Sequence, residues 1–428
     1  MNKLFSMMVA LFVAATVYGQ DTIPDRNASR DKNATPIKNT AEVEKKSADD
    51  EGFVFSVVKQ VPITSVKDQH RSSTCWSFST MAFFEAEVLR TKGITVDLSE
   101  MYLVSNSMYE RGVLFVRLHG NATFSPGGAF SDGLALLREH GLVPQSAMPG
   151  LNYAEYPQDT LPVHKELDAV ARGFLNSIVG GNMTRLTPSW KIAFRGIYDA
   201  YLGKCPEEFE YEGKKYTPKS FQDYLGLNAD DYVSITSFTH HPFYTQFAIE
   251  IEDNWRHALS YNVPLEELTA IVDNAINKGY TIAWGSDVSE SGFSRQGIAV
   301  MPDNSKLAKE LGSDMARWLK MNKSDFGGKF TSKPGPELEI TQLMRQQSFD
   351  NYETTDDHGM LIYGIAKDQT GKEYYIVKNS WGDAGNYNGI WYVSKAFFNY
   401  KTINIVVNKK AIPSAIAKKL GIKGGSIN

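Results

Sequence analysis

Cysteine is almost absent from this chain, which has only two cysteines, Cys75 and Cys205, among its 428 residues. A small secreted fold held together by disulfides would carry many more, so that class of protein is excluded. One disulfide between the two residues is an arrangement that the sequence permits. The surroundings of Cys75 favour a second arrangement, in which its thiol stays free for chemistry.

A strong charge of either sign is also missing. The formal net charge is −4 and the isoelectric point is about 6.1, which gives no indication of binding to nucleic acid. No internal repeat is visible, so solenoids and propellers are excluded. The eight histidines do not show the spacing of zinc ligands. We therefore predict no metal ion and no organic cofactor.

The apolar run near the start, residues 4–17, is too short to span a membrane, which takes about 20 residues. It follows a short basic start and is followed by small residues, a pattern typical of a secretory signal peptide over residues 1–19. Cleavage after Gly19 would export the protein to the periplasm or the extracellular space. No cysteine follows the run, so we expect no membrane anchor. The alternative is a buried N-terminal helix.

The rest of the chain divides into segments of different character. Residues 20–52 contain almost no large apolar side chains, which predicts a flexible linker. Helical patterns dominate residues 53–159 and also an insert at residues 160–280. Residues 281–410 are rich in β-branched and aromatic side chains, which favours strands, and residues 411–428 form a tail. The fold class predicted is α+β.

Individual elements can be predicted from local signals. A buried helix starts at Cys75 and stops at Gly93, and a second helix has Ser131 as its cap and Gly141 as its stop. A third helix carries Pro264 in its first turn. Strands are predicted at residues 280–288, 359–368, 372–381, 389–397 and 402–408.

The start of the first helix has the features of a thiol nucleophile. A helix N-terminus favours the thiolate of Cys75 and directs a backbone N–H at a reacting carbonyl. Gln69, six residues earlier, can donate a second hydrogen bond to the oxyanion. A cysteine in an apolar helix can also be a simple core residue. The neighbouring residues favour the catalytic interpretation.

The stretch VPITSVKDQHRSSTCWSFS resembles the start of papain-like cysteine peptidases, in which Cys-Trp opens a helix; here the pair is Cys75 and Trp76. The later stretch DDHGMLIYGIAKDQTGKEYYIVKNSWGD resembles the second half of that family's site. The resemblance implies that His358 pairs with Cys75 and that Asn379 orients the imidazole. It also implies that Trp381 shields their hydrogen bond from water.

Two glycines between these motifs, Gly127 and Gly128, match a glycine pair that lines the cleft in the same family. Their bare backbone would hydrogen-bond an extended substrate as a neighbouring strand does. The alternative is an ordinary pair of turn glycines in front of a helix. The sequence alone leaves both interpretations open.

Ser72 stands where the common papain signature has a disulfide cysteine, and a large insert precedes His358. Together with INKGYTIAWGSDV, these features resemble the bleomycin hydrolase and bacterial aminopeptidase C branch. The resemblance covers about residues 53–412. It implies a papain-like two-lobe fold, with a helical lobe carrying the nucleophile, a β-barrel-like lobe carrying His358 and Asn379, and a large helical insert.

The same resemblance implies peptide substrates, aminopeptidase activity and assembly as homo-hexamers. An endopeptidase with an open cleft is the alternative within this chemistry, and an acyl transferase that uses an amine acceptor is another. A catalytically dead homologue that only binds peptides is the alternative without catalysis. The four polar positions at the site are all occupied by functional residue types, which favours an enzyme.

Overall fold

The computed structural model describes residues 52–152, 163–181, 183–303 and 331–423. The predicted signal peptide, residues 1–19, and all but the last residue of the predicted linker, 20–52, lie outside the described residues. Within the described residues, helices and strands mix as an α+β fold, so this prediction of fold class is confirmed.

The helices concentrate in the first half of the chain. They are α1 (Cys75–Lys92), α2 (Glu100–Arg117), α3 (Phe130–Glu139), α4 (Lys165–Gly180), α5 (Ser189–Leu202), α6 (Pro218–Leu225), α7 (Leu265–Asn277), α8 (Gln342–Asp350), α9 (Lys395–Lys401) and α10 (Ser414–Lys419). None of them, within the part of the chain that the structure describes, is long and apolar enough to cross a membrane.

The strands form one large mixed sheet and one small hairpin. They are β1 (Phe55–Gln60), β2 (Phe209–Tyr211), β3 (Lys214–Tyr216), β4 (Tyr232–Thr236), β5 (Gln246–Ala248), β6 (Leu259–Asn262), β7 (Ile282–Ser286), β8 (Phe293–Ser294), β9 (Ile298–Ala299), β10 (His358–Asp368), β11 (Glu373–Lys378), β12 (Ile390–Ser394) and β13 (Thr402–Asn408). The large sheet has the order β5-β6-β4-β13-β7-β10-β11-β12-β9-β8, and β1 also pairs with β10. This path is open, so the described strands of the β-rich lobe do not close into a barrel.

The insert, residues 160–280, differs from the helical segment that we predicted. It contains α4 to α7, but β4, β5 and β6 add three strands to the large sheet beside β13. These strands are only three to five residues long. A strand this short has little local signal and depends on its pairing partners, which explains why the pattern did not reveal it.

The ends of the elements follow local chemistry. Gly93 ends α1 with a φ of 69°, the left-handed conformation that glycine adopts at low cost. The predicted cap of α3, Ser131, is wrong: Ala129 is the N-cap residue, and its N–H donates to the Asp132 carboxylate at 3.0 Å. The predicted strand at 389–397 ends early because the Ser394 side chain caps α9.

The sheet and α1 together position the site. Helix α1 packs against β10 and β7, and thirteen of its residues are buried. A Cβ added at Gly359 in β10 would lie 2.7 Å from Ser79 Oγ and 3.5 Å from Trp76 Cα. Glycine at this position therefore lets the first turn of α1 lie directly against β10. The ends of these two elements carry Cys75 and His358.

Candidate active site

Cys75 is the first residue of α1 and is half-buried. Its backbone therefore lies at the positive end of the helix dipole, as the sequence predicted. Cys75 and Cys205 are both free thiols, so the disulfide that the sequence permitted between them is not formed. The role of Cys75 as nucleophile stays a prediction.

His358 is the first residue of β10, where it pairs in register with Ser286 of β7. Its Nε2 lies 2.7 Å from Asn379 Oδ1, which also accepts a hydrogen bond from the Ser380 N–H at 2.7 Å. An amide oxygen can only accept, so Nε2 of His358 carries the proton. In the neutral ring Nδ1 is then the acceptor, the atom required of a general base.

Two tryptophans lie near the candidate site. The ring of Trp381 lies 4.8 Å from that of His358, measured between centroids, and is tilted by 32°. Trp76 is 2% exposed, and its Nε1 donates to the Pro126 carbonyl at 3.1 Å. The structure thus places Trp381 against the imidazole, while Trp76 anchors the loop that precedes α3.

Gln69 is fixed by the turn that follows Asn379. Its N–H donates to the Ser380 carbonyl at 2.8 Å, and Ser380 Oγ donates to its side-chain oxygen at 2.6 Å. With the oxygen engaged in this way, the Nε2 hydrogens of Gln69 remain as donors. Sequence reasoning did not assign this role to Ser380, although the residue lies inside the Asn-Ser-Trp-Gly stretch.

A cleft brings several of the predicted residues together. Its described lining comprises Cys75, Trp76, Gly128, Ala129, Phe130, Ile251, Asp253, Gly285, Asp356, Asp357, His358, Gly359 and Asn404. Gly128 is thus at the cleft wall, whereas Gly127 lies behind Asp253. A Cβ at Gly127 would lie 2.3 Å from Asp253 Oδ2, so this glycine makes room for a carboxylate. Substrate binding by both glycines stays a prediction.

Burial favours the neutral forms of both the Cys75 thiol and the His358 imidazole, which line the same cleft. Burial raises the pKa of the Cys75 thiol to about 12; hydrogen bonds from the Gly359 and Trp76 backbones oppose this, and nearby carboxylates reinforce it. Burial also lowers the pKa of His358 to about 4, against the hydrogen bond to Asn379. Charge separation is therefore favourable only when thiolate and imidazolium form together, with each compensating the other.

Sequence reasoning missed three acidic residues in the cleft. Asp356 and Asp357 directly precede His358, so an acidic run next to a candidate base was a usable signal. Asp253 lies between β5 and β6, and no motif surrounds it. Its position in the cleft arises only from the way in which the insert folds back.

Two groups of side chains in the described residues could hold a metal ion. One consists of His240, His241 and Glu250, and the other of Glu110, Glu139 and His140. Neither group contributes a residue to the lining of the cleft. The absence of a metal from the protein stays a prediction.

The Asn379→Ala variant is expected to lower kcat by about 10²-fold, because the imidazole loses the acceptor that fixes its orientation and tautomer. That hydrogen bond raises the pKa of His358, so its loss should move the acid limb of the pH–rate profile to lower pH. Asn386→Ala, an exposed residue on the same turn, is the matched control. An Asn379→Ala enzyme with unchanged kcat and pH profile would contradict the orienting role.

The sequence of this chain is similar to those of known peptidases. The model of the Peptidase C1-like family matches residues 24–328 and 337–424. Aminopeptidase G of Lactobacillus delbrueckii subsp. lactis is 24% identical over 394 residues, covering 83% of each chain. Aminopeptidase E of Lactobacillus helveticus is 25% identical over 409 residues, again covering 83% of each.

A solved structure shares the fold. The crystal structure of PepW from Lactobacillus rhamnosis superposes with a TM-score of 0.61 at 20% identity, covering 86% of this chain and 84% of that one. The papain-like resemblance predicted from the sequence motifs is thereby confirmed. Because the family model matches most of its length, this chain belongs to the Peptidase C1-like family and is a cysteine peptidase.

Proposed function

We propose that this protein is an exported aminopeptidase that removes residues from the N-terminus of peptides, with Cys75 as nucleophile and His358 as base. The observation that carries the proposal is the 2.7 Å contact between His358 and Asn379 at the cleft that also holds Cys75. Relatives that match more than four-fifths of the chain are named aminopeptidases, which supports action at the N-terminus.

The proposed reaction is acyl transfer in two steps. His358 Nδ1 takes the thiol proton as Cys75 Sγ attacks the carbonyl carbon of the scissile bond. The resulting imidazolium then protonates the leaving amine, which departs and leaves a thioester on Cys75. His358 next removes a proton from water, which attacks the thioester and releases the acid and the free thiol.

Two donors are proposed for the negative oxygen formed in each step. The first is the Cys75 N–H at the start of α1, and the second is the Nε2 group of Gln69. Ser380 keeps the oxygen of Gln69 engaged at 2.6 Å, which holds the amide in the orientation that leaves its nitrogen free to donate. Donors fixed in this way stabilise the transition state without reorganising during the reaction.

Export is proposed from residues 1–19, whose basic start, apolar run and small residues are typical of a signal peptide. The mature protein would begin at Gln20 and act in the periplasm or outside the cell. N-terminal sequencing of protein recovered from the periplasm or medium tests this. A protein that keeps Met1 and fractionates with the cytoplasm would overturn it.

Product analysis tests the activity directly. Mature protein, residues 20–428, is incubated under reducing conditions with peptides of about ten residues, with and without an epoxide inhibitor of papain-like enzymes. We expect mass spectrometry to show a ladder of products shortened stepwise from the N-terminus, and the inhibitor to abolish it. N-acetylated copies of the same peptides should remain intact.

Other product patterns identify the competing activities. Inhibitor-sensitive internal cuts would show an endopeptidase with an open cleft. Ligation of the acyl group to an added amine would show an acyl transferase. Intact peptides together with an unlabelled Cys75 would mean that the protein only binds its ligand. Each of these patterns would replace the aminopeptidase proposal.

A further inference from the structure

Two histidines and a glutamate converge outside the lining of the cleft. His240 and His241 follow β4, and Glu250 follows β5. Nε2 of His240 lies 3.0 Å from one carboxylate oxygen of Glu250, and Nε2 of His241 lies 3.1 Å from the other. The reaction proposed for Cys75 uses none of these three side chains, which we call the His-His-Glu cluster.

Aromatic side chains hold both imidazoles of the cluster in place. The ring of His241 stacks on that of Phe247, with centroids 4.2 Å apart and planes inclined by 21°. The ring of His240 meets Phe247 edge-on at 5.3 Å and lies nearly parallel to Phe349 at 5.9 Å. Phe247 is itself buried. Both rings are therefore ordered by packing, which lowers the entropy cost of binding a ligand between them.

Polar contacts fix the loop and the remaining nitrogen of His240. The side-chain amide of Asn262 donates to the carbonyls of Phe238 and His241 at 2.8 Å and 2.9 Å. Nδ1 of His240 lies 3.0 Å from the amide nitrogen of Gln346 and 3.3 Å from its oxygen. When Nδ1 donates to that oxygen, Nε2 presents its lone pair to a metal ion. An outer partner of this kind is usual for metal-binding histidines.

The second group of possible metal ligands differs in its charge balance. It consists of Glu110, Glu139 and His140, and the guanidinium of Arg256 pairs with Glu110 and lies 3.9 Å from Glu139. A cation of the protein therefore already compensates those carboxylates. Within the described residues, Glu250 forms its ion pairs with the two histidines alone. The His-His-Glu cluster is thus the group whose ligand atoms can turn to an external cation.

We propose that His240, His241 and Glu250 bind a zinc ion. Two imidazole nitrogens and one carboxylate oxygen are ligands that zinc takes in proteins, with water at the fourth position. Zinc bonds of about 2.0–2.1 Å in a tetrahedron place neighbouring ligand atoms about 3.3 Å apart. The two nitrogen–oxygen distances in the cluster are close to this value, and all its ligand atoms lie within 4.8 Å of one another.

This proposal replaces the sequence-based prediction of no metal ion, which rested on the spacing of the histidines. Two adjacent histidines have no spacing typical of zinc ligands, and a glutamate in a variable position adds no signal. The three ligands come together because β5 carries the chain back to Glu250 beside the loop that follows β4. The site therefore arises from the tertiary structure.

The expected role of the ion is structural. Glu250 directly precedes Ile251, which lines the cleft. A zinc ion bound to Glu250 and both histidines would tie the start of the segment between β5 and β6 to the loop after β4. Since the ion binds the native arrangement, it should stabilise the folded protein and slow local opening of that segment.

Isothermal titration calorimetry with zinc chloride tests the site in the Cys75→Ala protein, in which the nucleophilic thiol cannot act as a ligand. We expect one ion per chain with a Kd of about 10 µM or lower. Glu250→Gln and His241→Gln, made in the same protein, should each raise Kd by more than about 10²-fold, because each removes a direct ligand. His257→Gln is the matched control, an exposed histidine on the same segment that belongs to neither group, and should change Kd by less than about 2-fold.

Two further measurements locate the ion. Zinc at about 100 times Kd should raise Tm by about 3 °C in the Cys75→Ala protein and in the control. Zinc should also slow hydrogen exchange over residues 246–258. Neither effect should occur in Glu250→Gln or His241→Gln. Circular dichroism without zinc confirms that each variant is folded, and either variant alone suffices for the comparison.

Three results would overturn the proposal. The first is a Kd above about 1 mM, which would leave the cluster as hydrogen bonds between imidazoles and a carboxylate. The second is unchanged zinc binding in folded Glu250→Gln and His241→Gln, which would place the ion elsewhere. The third is an equal loss in the His257→Gln control. Because zinc binding is measured without turnover, none of these results depends on the proposed aminopeptidase function.

Discussion

Replacing Cys75 by Ala is expected to lower kcat/KM by at least about 10⁴-fold, because Cys75 carries the one thiol in the described lining of the cleft. Peptide binding should persist, since the rest of the cleft lining and the Gln69 donor remain. Far-UV circular dichroism and thermal unfolding should match wild type, because the substitution removes one half-buried sulfur atom.

The second cysteine provides the control. Cys205 is also a free thiol, but it packs against a hydrophobic core, and its Sγ lies 3.6 Å from Ser105 Oγ. The kcat/KM of Cys205→Ala should therefore stay within about 2-fold of wild type. Cys75 should still be labelled by a thiol-reactive epoxide in this variant. Turnover retained by a purified, folded Cys75→Ala protein would show that Cys75 is not the nucleophile.

Replacing Lys67 by Met is expected to lower the free energy of unfolding by about 3–5 kcal/mol. The ammonium of Lys67 lies 3.0 Å from Glu85, 2.5 Å from Asp97 and 2.7 Å from Glu100. The Glu85 side chain is fully buried and that of Glu100 is 4% exposed. Removing the Lys67 ammonium takes a neighbouring positive charge away from the buried carboxylates of Glu85 and Glu100. Urea unfolding measures the loss.

The pH dependence gives this prediction a second readout. Burial lowers the pKa of Lys67, but Glu100, Glu85 and Asp97 together raise it well above its usual value. A raised lysine pKa means stability that is fully present below about pH 10 and is lost only as pH rises through the folded value. Burial already raises the pKa of Glu100 to about 7, and in Lys67→Met its carboxyl loses the attraction of the ammonium, so it takes up a proton more readily as the pH falls. The deficit should therefore be smaller at pH 5 than at pH 8.

An exposed ion pair is the matched control for Lys67. Arg138 and Asp230 lie 2.7 Å apart, but their side chains are 57% and 71% exposed. Water and salt screen such a pair, so Arg138→Met should change the free energy of unfolding little or not at all. A Lys67→Met protein as stable as Arg138→Met at pH 8 would show that the buried network contributes nothing net.

Elements with strong local signals could be predicted from the sequence. Helix α1 has its apolar run and Gly93 as a stop, and β13 coincides with the predicted strand at 402–408. Strands β4 to β6 could not be predicted, because they exist through pairing with distant residues. An element can be predicted from its sequence when most of the interactions that stabilise it lie within the element itself.

The candidate site shows the same division. Cys75, His358, Asn379 and Gln69 lie in motifs that could be recognised before folding, and the structure brings them to one region. Ser380 fixes Gln69 across 311 positions of the chain. Asp253 reaches the cleft only because of the way in which the insert folds. The ion-pair partners of Lys67 likewise come together only when the chain packs. Contacts of this kind depend on the tertiary structure, which local patterns do not contain.

The hydrogen bond from the Gln69 backbone to Ser380 couples the turn before α1 to the turn after β11. The parts proposed for chemistry therefore form one cross-braced unit, whereas Ile251 and Asp253 come from a separate connecting segment between β5 and β6. Evolution or a protein engineer could exchange that segment without dismantling the unit. Replacing the segment between β5 and β6 is therefore the change that we expect to alter substrate preference with least effect on the residues proposed for catalysis.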